Sequence, residues 1–393
     1  MPSIDFIISN PGHHVAMMQP VITQLKEQGE YHCRVISLCP FRGFPSPAAQ
    51  FSMADAFVSI PDRQLRSSPS SGKQSGKGSA RLRGVAREAS WRLVLQRPLR
   101  HTFQSHPDLV VLPNDAAFPY DHIVKMLHGR DIPFLLMQEG IRFPLPTAKE
   151  HDAYGSGSAA AIAAWGESSA AYFRAQGAPP QTIHCTGSPR FDLIGNTDWQ
   201  TQAEQLKARY GFGRTNLLFL SNPIDDQGFC TSAEKMALVR RFLAEIAPLF
   251  ADPGFHLIIK LHGREPVNEF QTAVAAFPFS QQITLLRQAP LYPLFTLAQA
   301  AIVLASTVGL EALLFNLPLA VLEIPGYGFA HDYVDCGVAS GLSWQRPLPP
   351  QVQDLIHGQG MDTAVTSTYL QKNLAARCDA AGQVAALITK LTA

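Results

Sequence analysis

At 393 residues the chain is too long for one compact core, so two domains of roughly 150–200 residues are expected. A hydrophobic content of 46% and a charged content of 16% are globular values, and a net charge of +1 gives no global reason to expect nucleic acid as a partner. No apolar run approaches the roughly 20 residues that span a bilayer, and the six cysteines form no C-x-x-C pair, so neither a zinc site nor a disulfide framework is expected.

The first residues, Ile4–Ser9, read as a strand without the basic flank and apolar core of a signal peptide. With the scattered cysteines, this makes a reducing cytoplasm the expected location. Further strands are expected at His32–Leu38, Ala56–Ile60, Leu109–Leu112, Phe134–Gln138, Ala160–Trp165 and Thr182–Thr186. Helical patterns lie between most of them, for example Val15–Glu27 and Ser168–Gln176. After a polar connection near Gly195–Gly213, the alternation restarts with Leu217–Leu220, His256–Leu261, Ile283–Leu286, Ala301–Leu304 and Leu319–Leu322. Strands alternating with helices imply parallel sheets covered on both faces.

The expected fold is therefore α/β, with two doubly wound, Rossmann-like domains facing each other across a cleft. The boundaries read as 1–194 for the first domain, 195–214 for a linker, 215–365 for the second domain and 366–393 for a final helical segment. Ligands of such sheets sit beyond the carboxyl ends of the strands, and the chemistry is expected there.

One segment departs from the alternation. Residues 63–80 are rich in Ser, Gly and Lys and read as a mobile loop. Between Arg63 and Arg100 stand ten Lys or Arg residues and one acid, Glu88. Leu82, Val85, Ala86, Ala89 and Leu93 share a helical face. That face serves either the chain's own sheet or an anionic acceptor or peripheral membrane contact, which would be at the inner membrane face.

The run from Ala305 to Leu322 carries the most specific signal. A buried strand leads into Ser306-Thr307, whose hydroxyls and amides open a helix and suit an anion. Glu311, one turn on, would accept hydrogen bonds from the two hydroxyls of a ribose. Phosphate followed by ribose describes a nucleotide, whereas the plain reading is a strand–turn–helix with a Ser cap.

Other strand ends add candidates. Asn10-Pro11-Gly12-His13-His14 follows the first strand, and His13 has a pKa suited to a general base or holds a structural hydrogen bond. Asp115 and Glu139 end later strands and are expected to point into the cleft. Glu139, followed by Gly140, is the better base unless it pairs with Arg142. Gly187 and Arg190 lie in the turn Thr186–Asp192, where Arg190 serves a phosphate or pairs with Asp192. In the second half, Ser221 ends one strand, and Lys260, His262 and Arg264 end another. His262 would donate to a phosphate whose charge Lys260 or Arg264 offsets.

Gln138-Glu139-Gly140, His262-Gly263 and Ser306-Thr307 stand in the order of three short motifs of the GT-B superfamily. The chain resembles its bacterial capsule-type transferases, polysialyltransferase-like and CDP-glycerol-transferase-like. Their motifs are an acidic pair before Gly, a His-Pro and a Ser-Ser or Ser-Thr. The first acid of the pair is Gln138 here, and the Pro is Gly263. The chain is also similar to the non-hydrolysing UDP-N-acetylglucosamine 2-epimerases, which hold catalytic residues where Asp115, Glu139 and His262 fall. Their N-terminal Gly-Thr-Arg-Pro-Glu signature is replaced by Asn10–His14, without its phosphate-binding Arg, and their Ser-Gly-Gly loop by Ser306-Thr307-Val308.

The resemblance implies a GT-B-like fold whose last helical stretch, Tyr369–Leu391, crosses back to the first domain. It implies Glu139 as base for an acceptor hydroxyl and phosphate contacts from Ser306 and Thr307. The leading expectation is an inverting glycosyltransferase of surface polysaccharide or glycoconjugate synthesis. Its partners would be a nucleotide-sugar donor, which is a co-substrate, and a glycan or small-molecule acceptor. No Asp-x-Asp stands in a donor-site position, so no metal ion and no separate cofactor are expected. The alternatives are a nucleotide-sugar 2-epimerase or hydrolase, and a non-catalytic nucleotide-sugar-binding protein.

Overall fold

The computed structural model describes residues 1–29, 31–65, 77–141 and 153–393, with side chains of the helix Lys77–Ser90 described from Gly84 onward. The chain divides into two compact units. The first runs to Asn196 and includes Lys372–Ala393, and the second contains Thr197–Gln371.

The strands of the first unit are β1 (Ser3–Ile8), β2 (His32–Ser37), β3 (Ala56–Ser59), β4 (Leu109–Leu112), β5 (Phe134–Met137), β6 (Ala161–Ala164) and β7 (Ile183–Cys185). They form one parallel sheet in the order β3-β2-β1-β4-β5-β6-β7. The order reverses between β1 and β4, so the loops after these two strands diverge to opposite faces and leave a crevice. Alternate residues of one strand feed the cores on the two faces. Ile7 packs with Trp91, Leu95 and Leu99 on one side, and Phe6 and Ile8 pack with Met17, Val21 and Leu25 on the other.

The second unit contains β8 (Thr215–Leu220), β9 (Phe255–Lys260), β10 (Ile283–Leu286), β11 (Ala300–Val303), β12 (Leu319–Leu322) and β13 (Ser340–Leu342). Its parallel order is β10-β9-β8-β11-β12-β13, with the reversal between β8 and β11. Asn222 stitches that switch point by donating Nδ2–H to the Ala305 carbonyl at 2.7 Å. All twelve strands expected from the apolar runs are present. β13, Ser340-Gly341-Leu342, carries no such run, and a Cβ at Gly341 would lie 2.6 Å from the Phe329 ring.

Two expectations about the connections need correction. Residues 195–214 are more than a polar linker, for they hold the helix Gln200–Tyr210, which packs beside the helix Leu291–Leu297 and sets Trp199 edge-on to Tyr292 at 5.2 Å. The stretch Tyr369–Leu391 is two helices, Thr363–Asn373 and Ala380–Thr392. They are interrupted where Ala375 donates its amide to the Trp165 carbonyl at 2.8 Å. The later helix lies on the first unit's sheet, burying Val384, Ala385 and Ile388 beside Met17 and Val21. Asp192 holds its start by accepting the Ala380 and Ala381 amides at 2.9 and 2.8 Å.

The loop expected over 63–80 lies mostly outside the described residues, and a helix already runs from Lys77. The face shared by Val85, Ala86, Ala89 and Leu93 is turned outward, with Val85 65% and Leu93 83% exposed. Trp91, Leu95 and Leu99 serve the sheet instead.

Candidate functional site

In the first unit the site residues gather at the switch point. After β1, Asn10 Oδ1 accepts the amides of Gly12 and His13, both at 3.0 Å, and so starts the helix His13–Glu27. That turn places both histidine rings at the sheet's carboxyl edge. After β4, Asn114 Oδ1 accepts the amides of Ala116 and Ala117 at 3.0 and 2.7 Å, which turns its Nδ2 toward Glu139 Oε1 at 3.2 Å. After β5, Gln138 is fully buried, accepting the Trp165 amide at 2.8 Å and donating to Ser169 Oγ at 2.8 Å. Glu139 is thus carried on a braced strand end, and its amide is held by the Tyr154 hydroxyl at 3.2 Å.

The Glu139 carboxylate receives a second donor, His14 Nε2, at 3.0 Å. The side chain is held in position while 31% exposed. His14 itself is buried.

His13 is differently placed. Arg190 donates from Nη1 to His13 Nδ1 at 2.7 Å, and His13 Nε2 donates to the Glu139 carbonyl. Burial lowers the His13 pKa to about 3, and the Arg190 guanidinium pushes in the same direction against the opposing influence of Glu139. His13 is therefore neutral with both ring nitrogens engaged, and a base role requires Arg190 to leave it.

The remaining sequence candidates of this unit have structural employment. Asp115 accepts the amides of Gly155 at 2.9 Å and Gly157 at 2.8 Å, so its carboxylate braces a loop instead of pointing into a cleft. Gly187 has φ +78°, and a Cβ there would lie 2.4 Å from the Ala376 carbonyl oxygen, so the glycine admits the C-terminal segment. The alternative Arg190–Asp192 pair does not form, since Asp192 caps the last helix and Arg190 goes to His13. Arg142, the alternative partner of Glu139, lies outside the described residues.

The second unit has its own set after β8, β9 and β11. His262 stands exposed on the loop after β9. Its Nδ1 accepts the Arg264 amide at 3.2 Å, so the proton sits on Nε2 and is available to a ligand. Partial desolvation lowers its pKa, with Arg264, Lys260 and Lys235 acting in the same sense and Glu265 opposing. The ring is a neutral donor, suited to a phosphate oxygen. Lys260 donates to the carbonyls of Leu261 and Arg287 at 3.2 and 2.9 Å, and Arg264 pairs with Asp226 at 3.5 Å.

Sequence reasoning missed the support beneath this loop. Glu265 is buried and accepts from the His262 amide and from Ser221 Oγ, both at 2.7 Å. It also pairs with the Lys235 ammonium, which is itself buried. Ser221 is therefore a brace for the loop. Lys235 and Glu265 are 30 residues apart on different elements, so no local pattern reveals the pair.

Ser306 and Thr307 are half-buried before the short helix Val308–Leu314, and Ser306 Oγ accepts the Val308 amide at 3.3 Å. Tyr333, another residue without a sequence signal, accepts the Leu310 amide at 3.2 Å. Glu311, expected to meet a ribose, is 2% exposed. Among the described residues, no group of three or more His, Cys, Asp or Glu is placed to hold a metal ion.

No family model matches the chain, and no curated protein matches it by sequence. Solved structures do match its architecture. A UDP-GlcNAc 2-epimerase from Neisseria meningitidis, bound to UDP-GlcNAc, aligns at 13% identity with a TM-score of 0.69, covering 99% of this chain and 100% of that one. The Methanocaldococcus jannaschii UDP-GlcNAc 2-epimerase, in complex with UDP-GlcNAc and UDP, aligns at 12% identity and 0.61, covering 99% of each chain. WaaG, a glycosyltransferase involved in lipopolysaccharide biosynthesis, aligns at 12% identity and 0.52, covering 98% of this chain and 99% of that one. At these identities the likeness establishes the architecture, and the fold is that of the GT-B proteins, two Rossmann-like parallel-sheet domains.

Proposed function

We propose that this chain is an enzyme acting on a nucleotide-activated sugar, and that it transfers the sugar to an acceptor hydroxyl with inversion and without a metal ion. The observation that carries the reading is the Glu139 carboxylate, fixed by His14 and Asn114 and still 31% exposed at the switch point of its sheet. A held carboxylate of this kind suits a general base. It would take the proton of the acceptor hydroxyl as that oxygen attacks the anomeric carbon. The bond from that carbon to the phosphate oxygen breaks, and the nucleotide leaves with the electron pair. His262, donating through Nε2–H, would hold a phosphate oxygen, with Ser306 and Thr307 as further donors.

A second reading, a nucleotide-sugar 2-epimerase, is favoured by one specific observation. The Arg missing from the N-terminal signature has a counterpart in space, because Arg190 brings a guanidinium to His13 at the end of β1. The solved structures bound to UDP-GlcNAc make that sugar nucleotide the first donor to try.

Binding of UDP, CMP, CDP and GDP by calorimetry identifies the nucleotide. The corresponding labelled sugar nucleotide is then incubated with and without acceptors in deuterated water. Transfer gives a new glycoside only with an acceptor. Epimerisation gives the 2-epimer carrying deuterium without one, hydrolysis gives free sugar, and binding without turnover marks a silent protein. Failure of all four nucleotides to bind overturns the reading.

A further inference from the structure

The helical run Lys77–Thr102 presents an outward face that no part of the site employs. It comprises the helix Lys77–Ser90, a π-helical turn Trp91–Leu95 and the helix Gln96–Thr102. Trp91, Leu95 and Leu99, spaced by four, are buried against the sheet. Val85, Ala89 and Leu93 have the same spacing but are offset by two, which places them about 200° round the helix, on the opposite side. They are exposed, Val85 to 65% and Leu93 to 83%. Arg87, Arg92, Arg97 and Arg100 are exposed along the same run. The one acid, Glu88, is taken up by Arg92 at 2.5 Å.

A lone exposed Leu is unremarkable. A stripe of aliphatic side chains rimmed by Arg92, Arg97 and Arg100 is a different matter, because each part selects a partner. The arginines require a negatively charged surface. Val85 and Leu93 gain only where they leave water, which a nucleic-acid phosphate backbone does not offer. A second copy of this chain would set the same arginines against one another in a two-fold contact, and like charges disfavour it. An anionic bilayer surface meets both demands, with phosphates for the guanidiniums and an acyl boundary for the aliphatics.

We propose that the exposed face formed by Val85, Ala89 and Leu93, rimmed by Arg92, Arg97 and Arg100, docks the first unit peripherally onto an anionic phospholipid surface. This stands independently of the sugar-nucleotide reading, since none of these residues belongs to the sets built around Glu139 and His262.

The test is vesicle flotation of the full chain. Vesicles of phosphatidylcholine alone are compared with vesicles containing about one third phosphatidylglycerol, at low salt and at about 0.5 M salt. Binding is expected only to the anionic vesicles, and salt should weaken it. Arg92→Gln, Arg97→Gln and Arg100→Gln combined should lower partitioning about a hundred-fold, at roughly five-fold each. Val85→Ser with Leu93→Ser should lower it about ten-fold, with an unchanged melting curve. Equal binding to neutral vesicles, no binding to either, or wild-type binding by both variants would overturn the proposal. So would a concentration-dependent dimer of the wild type that the Leu93→Ser variant loses.

Discussion

His14 donates its Nε2–H to Glu139 Oε2 at 3.0 Å while its Nδ1 accepts the Ser9 amide at 3.0 Å. The backbone of one strand end thus sets the tautomer of a ring that orients the carboxylate at another. The adjacent His13 has the same tautomer but other partners, its Nδ1 accepting from a cation, Arg190, and its Nε2–H going to the Glu139 carbonyl. Two neighbouring histidines therefore do different work. His14 positions Glu139, and His13 ties the Arg190 loop to the Glu139 backbone.

Glu139→Gln should lower turnover by about 10²–10⁴-fold while leaving nucleotide affinity nearly unchanged. Gln keeps the shape and one acceptor but has no basicity. Steady-state kinetics and calorimetry on the same protein separate the two effects. Wild-type turnover by Glu139→Gln, with loss of turnover in His13→Ala, would transfer the base role to His13.

His262→Ala should weaken nucleotide binding by about ten-fold or more, as expected for a lost hydrogen bond to a charged phosphate, roughly 1.5–3 kcal/mol. Ser306→Ala should weaken it in the same direction. Unchanged dissociation constants in both variants would remove the nucleotide from this loop set.

Lys235→Ala strips the cation from buried Glu265 and should destabilise the second unit by about 3–5 kcal/mol in denaturant unfolding. The combined replacement Lys235→Met with Glu265→Leu should recover much of that stability, because no buried charge remains unpaired. It should still weaken nucleotide binding, since the His262 amide and the Ser221 hydroxyl lose their common acceptor. Recovery of affinity together with stability would show that Glu265 has no part in shaping the loop.

Gly187→Ala should be among the most damaging small substitutions in the first unit. It combines a positive φ, roughly 1 kcal/mol or more for a non-glycine residue, with a Cβ driven onto the Ala376 backbone. Thermal unfolding should show the loss, and limited proteolysis should release the segment containing Ala380–Thr392 first. An unchanged melting temperature would contradict this packing.

His331 supplies a pH test. Burial lowers its pKa to about 4, against the opposing charge of Asp332, and its ring packs beside Tyr333 at 5.1 Å. Its folded pKa lies below the unfolded value near 6.5, so its contribution is complete above about pH 6.5 and is lost as pH falls toward about 4. The slope in that window is up to about 1.4 kcal/mol per pH unit. His331→Asn, which tolerates the φ of +64°, should flatten the acid limb of the stability curve. An equally steep limb in the variant would assign the acid sensitivity to other groups.

The alternation of apolar runs made the α/β class and twelve strands legible, because a buried parallel strand needs an unbroken apolar run whatever its neighbours are. The loops after those strands were equally legible as the place for chemistry, since the doubly wound topology exposes backbone and polar side chains there. Glu139, His13 and His262 follow from that rule alone. Side-chain partners were not legible. Arg190 chose His13 over Asp192, Asp115 was held by the amides of Gly155 and Gly157, and Glu265, in a loop, found Lys235 on a helix 30 residues away. The outward face of Val85 and Leu93 was also undecided, because two stripes on one helix compete for the sheet and the bulkier Trp91, Leu95 and Leu99 bury more apolar area. Strand identity is a local property of hydrophobic period, and the chain by itself determined it. Hydrogen-bond pairing and the choice of buried face depend on distances between residues far apart in sequence, and only the tertiary structure decided them.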